Sequence, residues 1–102
     1  MPTRREHLEA MLAAEPQDQF LRYSLAMELE KEAQHERSLE LLRGLAADAK
    51  PYVPAFFMAG QQLARLSRID EAREVLDAGI AAARRQGNAH AEREMSEFRA
   101  GL

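Results

Sequence analysis

Apolar residues recur along this chain at helical spacing, in six runs separated by short polar breaks. The clearest pair lies between Val53 and Arg85. Phe56, Ala59, Gly60 and Leu63 fall at i, i+3, i+4 and i+7, which is one stripe of a helix. Beyond the break Ser67-Arg68-Ile69-Asp70, residues Ala72, Val75, Leu76 and Gly79 repeat the spacing. Gly60 and Ala72 are small, as two closely crossing helices require. Ala26 and Ser38 hold the matching places in the preceding hairpin, so each pair is expected at a close crossing. A hairpin with one apolar side cannot bury its own face, so it needs neighbours.

The same reading extends both ways. Thr3 is a good N-cap, and Glu6 completes a capping-box pattern. Leu8, Met11 and Leu12 follow in a first helix over about 3–14, which Pro16 ends. Asp18 caps a second helix whose stripe holds Leu21, Leu25, Ala26 and Leu29. A third carries Leu39, Leu42, Leu45 and Ala46. Pro54 suits the first turn of the fourth, and Asp70 is expected to cap the fifth. Gly87 is a natural stop and Asn88 a natural cap for a sixth helix, with Ala91, Met95, Phe98 and Leu102 on one stripe. Breaks are expected near 15–18, 33–36, 50–54, 67–70 and 87–88. No segment has the period-2 pattern of a strand.

Composition narrows the class. The chain has 102 residues, 46% apolar and 30% charged, which suits one globular domain. It has no cysteine, so disulfides and cysteine zinc sites are excluded and a reducing cytoplasm is the expected home. Net charge is −3, and all of the excess acid lies in residues 1–50. A nucleic-acid or membrane-surface binder would need a basic surplus instead.

Self-comparison gives the register. A shift of 34 residues places Leu29 on Leu63, Glu40 on Glu74, Leu42 on Leu76, Ala47 on Ala81 and Ala49 on Ala83. Tyr23 falls on Phe57, Ala26 on Gly60 and Lys31 on Arg65. Two helices per 34 residues is the tetratricopeptide repeat period. Ala59-Gly60, Leu63, Asp70-Glu71-Ala72 and Leu76 resemble the second hairpin of such an array. Leu25-Ala26, Leu29, Ser38, Leu42 and Pro51 resemble the first. The chain thus resembles the tetratricopeptide repeat (TPR) family, and its tail resembles that of small bacterial TPR proteins.

The resemblance implies an all-α fold, a right-handed superhelical stack of antiparallel helical hairpins. It would form one domain over 1–102, with repeats at about 19–52 and 53–86, a preceding half-repeat and a capping helix at about 88–101. Three positions depart from the family pattern. Ala33 and Ser67 stand where Gly is usual, and Arg22 stands where a large apolar residue often sits.

Little points to catalysis. His90 and Glu94 are i, i+4 and could share a helix face, but a zinc site would need further ligands. Ser24, Ser38, Ser67 and Ser96 sit in no nucleophile elbow, and the glycines form no phosphate loop. No enzyme activity, cofactor or metal is expected.

By resemblance, the first helix of each hairpin lines a concave face on which peptides lie. The peptide-binding candidates are Phe20, Tyr23, Met27, Lys31, Phe57, Gln61, Arg65 and Arg99. Glu30 and Ala64 lie on the same strip. Tyr23 and Phe57 would supply aromatic contact area, or would stack between repeats. Lys31, Arg65 and Arg99 share the 34-residue spacing and would form a basic ladder suited to an acidic segment or a C-terminal carboxylate. The expected function is a protein-interaction adaptor with a protein or peptide partner. The alternative is a self-associating structural protein, a homodimer through an end face of the stack.

Overall fold

A computed structural model describes all 102 residues. It contains six helices and no strand: α1 (Arg4–Ala14), α2 (Gln19–Lys31), α3 (His35–Ala46), α4 (Val53–Arg65), α5 (Ile69–Arg85) and α6 (Ala89–Ala100). Each break overlaps its expected place, but two residues of each expected break at 33–36, 50–54 and 67–70 already belong to the following helix. Each helix packs on the one before and the one after, and α4 also touches α6. The result is an elongated slab of 43 × 29 × 18 Å. Helices α2 and α3 form one hairpin and α4 and α5 the next, with α1 in the position of a second helix and α6 in that of a first.

Local chemistry explains most helix ends. Thr3 and Glu6 form the full capping box on α1. Asp18 accepts from the amide of Leu21, and Asn88 from that of Ala91. Pro54 sits in the first turn of α4. The expected cap at Asp70 is corrected. Helix α5 begins at Ile69 with Arg68 at the N-cap, and no side chain caps it. The chain enters the helix early because Ser67 already turns it, at φ 62°. Asp70 lies in the first turn instead, where a negative charge favours the helix dipole.

Ala33, Ser67 and Gly87 all take left-handed backbone angles, φ 60°, 62° and 70°. Each ends a helix with the same bond. The amide of the following residue reaches back to the carbonyl of Leu29, Leu63 or Ala83, at 2.9, 2.8 and 2.8 Å. This is the Schellman pattern, which favours glycine because a side chain crowds the left-handed region. Two of the three turns therefore carry strain. Ala33→Gly and Ser67→Gly should each raise stability by about 0.5–1 kcal/mol, the relief being partly offset by glycine's freedom in the unfolded chain. Urea midpoints for the two variants check this.

The core runs between the two rows of helices. One cluster joins Ala26, Leu39, Leu42, Leu45, Ala55, Ala59, Leu63 and Ala72. A second joins Val53, Phe56, Leu76, Ala82, Ala83 and Met95, and so ties α6 to the stack. A third, smaller cluster of Leu8, Leu25 and Leu29 holds α1. Met11 is exposed, although it shares the stripe of Leu8.

Ala26 and Ser38 meet as expected. Ser38 Oγ donates to the Ala26 carbonyl at 2.7 Å and accepts from Gln62 Nε2 at 3.1 Å, so one buried hydroxyl links α2, α3 and α4. At Gly60 the space a side chain would need is taken by Leu76, since an added Cβ would lie 2.6 Å from Leu76 Cδ2.

Arg22, the departure from the family pattern, has a polar task. It donates to Asp48 at 2.5 Å and to the Gln17 carbonyl at 2.9 Å, and Gln19 also donates to Asp48. These bonds hold the Asp48 carboxyl below the usual carboxylate range. They fix the long turn between α3 and α4 against the start of α2, a task a leucine could not do.

Candidate concave peptide site

Helices α2 and α4 each open a hairpin that folds back the same way, and α6 continues their row. Their shared face holds a cavity of about 160 Å³. Tyr23 comes from α2. Val53, Pro54, Phe57, Met58 and Gln61 come from α4, and Ala91, Glu94 and Met95 from α6, with Asn88 at its cap. No second-position helix contributes. Larger hollows exist elsewhere, one of about 360 Å³ over α2 and α3 and one of about 560 Å³ around the turn at Ala33. The first shows two arginines and a glutamate, and the second opens broadly at a polar turn. Neither gathers aromatic side chains.

The aromatic candidates act in two ways at once. The Tyr23 ring lies 5.4 Å from that of Tyr52, at the start of α4. The Phe57 ring meets Phe98 of α6 edge-on at 5.7 Å. Both contacts cross from one hairpin to the next, so these rings stack between repeats. The same two rings also wall the cavity. Burial, with Tyr52 alongside, pushes the Tyr23 phenol above its ordinary range, so it remains a neutral hydrogen-bonding group.

The structure sorts the eight candidates. Tyr23, Phe57 and Gln61 line one cavity. Phe20 is 67% exposed near the start of α2, and Met27 is also exposed; neither lines the cavity. The three bases stand apart from it, and each holds a carboxylate of this chain. Lys31 is 3.3 Å from Glu28, Arg65 is 3.7 Å from Glu30, and Arg99 is 2.8 Å from Asp77. Arg99 thus turns onto α5, and Arg65 ties α4 to α2.

Register alone could have found part of the remaining wall. Ala91 stands 34 after Phe57, and Met95 stands 34 after Gln61. Met58 and Glu94 lie off that strip and gave no signal. His90 and Glu94 do come together, at 3.2 Å, as their spacing predicts. No third histidine or carboxylate joins them in a metal-binding cluster.

Comparison with solved structures bears on what this row of helices is. A tetratricopeptide repeat domain protein from Salinibacter ruber, solved in solution, is 31% identical, with a TM-score of 0.78. The match covers 84% of this chain and 87% of that one. The chain belongs to the tetratricopeptide repeat family. A crystal structure of a TPR domain protein from the same organism matches at 31% identity over 81% of this chain and 93% of that one, with a TM-score of 0.73. A Bordetella parapertussis protein solved in solution matches at 30% identity over 98% of this chain and 87% of that one, with a TM-score of 0.79. No protein-family model matches the chain, and no curated protein matches it significantly. Membership makes this a repeat module of the protein-interaction kind. No helix is long and apolar enough to cross a membrane.

Proposed function

We propose that the protein is an adaptor without catalytic activity, which holds an extended segment of a partner protein along the face of α2, α4 and α6. The observation that carries this reading is the cavity walled by Tyr23 and Phe57, whose lining comes from that row alone. Aromatic walls give large contact area at low entropic cost, which is why they anchor interfaces. Gln61 at the wall supplies a group able to bond a peptide backbone. The absence of cysteine suits work in a reducing cytoplasm.

An acidic segment or free C-terminal carboxylate was the ligand the basic ladder suggested. Lys31, Arg65 and Arg99 could serve such a ligand only by giving up Glu28, Glu30 and Asp77. The apolar cavity is therefore the stronger anchor in this reading. The alternative of a homodimer through an end face has one feature in its favour, the exposed Met11 side of α1.

Capture from lysate on immobilised protein, followed by kinetic measurement on the captured partner, tests the reading. Tyr23→Ala should leave association nearly unchanged and speed dissociation by about tenfold or more. A partner that leaves the folded variant at the wild-type rate would contradict groove binding. Light scattering on the eluted protein separates the alternative, which requires a dimer.

A further inference from the structure

The cavity has a charge as well as a shape. Among its lining residues Glu94 is the only charged side chain, and no lysine or arginine is present. Its ion-pair partner is His90, an exposed imidazole rather than a permanent cation. Glu28, Glu30, Glu92 and Asp77 each have an arginine partner: Arg4 at 2.9 Å, Arg65, Arg84 at 2.7 Å and Arg99. Glu94, like Glu97 on the same helix, has none, and of these acids only Glu94 lines the cavity.

We propose that the cavity receives an arginine side chain from the partner segment. This rests on the groove reading above and specifies its ligand. The volume of about 160 Å³ suits one long side chain. Met58 and Val53 offer apolar wall to an aliphatic stem, as amphipathic side chains require. Phe57 and Tyr23 place aromatic rings in the wall, which attract a flat cation. Glu94 offers a carboxylate that a guanidinium bonds through two parallel N–H groups. Lysine would use the same stem but lacks the planar fork and stacks less well. An acidic side chain would meet Glu94 and find no cation among the walls.

Three capped alanine pentapeptides, with arginine, norleucine or glutamate at the centre, serve as probes. Each is titrated into the isotopically labelled full chain while amide shifts are followed. The arginine peptide should shift the amides of Phe57, Gln61, Ala91 and Glu94 saturably, and bind at least about fivefold more tightly than the norleucine peptide. Glu94→Gln should weaken the arginine peptide by about tenfold and leave the norleucine peptide unchanged. Equal binding of arginine and norleucine peptides at these amides would overturn the arginine assignment while leaving the groove reading intact. So would an arginine affinity unmoved by Glu94→Gln. Tighter binding of the glutamate peptide, or shifts by the arginine peptide confined to other surfaces, would also overturn it. The groove reading itself is judged separately, by where a captured partner binds.

Discussion

Gly79→Ala should destabilise the protein by about 1–3 kcal/mol, although alanine is the better helix former. Gly79 lies in α5 where α4 and α6 both close on it. An added Cβ would sit 2.4 Å from Phe56 Cβ and 2.7 Å from Met95 Sδ. The methionine sulfur could swing aside, but Phe56 Cβ is fixed to the backbone of α4. Only a shift of one helix against the other relieves the clash, and the cluster of Val53, Phe56, Leu76 and Met95 would move with it. Two other glycines calibrate the effect. At Gly60 the contacts are Leu76 Cδ2 and Cγ, at 2.6 and 2.7 Å, which stand further from their backbone than Phe56 Cβ does, so Gly60→Ala should cost less. At Gly44 nothing lies within 4 Å, so Gly44→Ala should stabilise by about 0.5–1 kcal/mol. Urea unfolding of the three variants should give the order Gly44→Ala, Gly60→Ala, Gly79→Ala from most to least stable. A Gly79→Ala protein as stable as wild type would mean that α4, α5 and α6 are not packed this closely.

Phe57→Ala should have the largest effect on binding, a loss of about 30-fold or more in affinity for a captured partner. The ring comes from α4, the middle helix of the row, and truncating it opens the cavity. It also meets Phe98, so the variant loses some stability as well. Phe98→Leu separates the two effects. It removes the same edge contact from the α6 side, and Phe98 does not line the cavity. Phe98→Leu should therefore lose stability and keep affinity. If both variants lose affinity equally, the docking of α6 matters rather than the Phe57 wall. Affinities by titration, beside urea midpoints, decide between them.

The helices were legible because their boundaries rest on local chemistry or on period. Pro16, Pro51, Pro54 and Gly87 punctuate the chain, and Thr3, Asp18 and Asn88 cap by bonds to amides three residues on. The turns at Ala33 and Ser67 lack the glycine that their left-handed backbone favours; the 34-residue register placed the first, and the polar break Ser67-Arg68-Ile69-Asp70 marked the second. Asp70 was misread because capping depends on where the backbone leaves the left-handed turn, not on composition. The concave row was implied by the family resemblance, and the register then marked Tyr23, Phe57 and Gln61 on it. The fate of the basic ladder did not follow from either. Long side chains reach a helix turn or more, so period fixes where Lys31, Arg65 and Arg99 start but not which carboxylate they find. Arg22 and Asp48 likewise lie 26 residues apart, and nothing local marks them as partners. The roles of Gly79 and Glu94 depend on how α6 seats against α4 and α5, a tertiary fact.

The central claim concerns a face, so the most direct measurement is a map of that face. The labelled chain is titrated with the binding segment of a captured partner, and every amide shift is placed on the structure. The account predicts a continuous footprint across the exposed face of α2, α4 and α6, strongest around Tyr23, Phe57, Gln61 and Ala91. A footprint on α1 around Arg4, His7 and Met11, or on the outer helices α3 and α5, would contradict it.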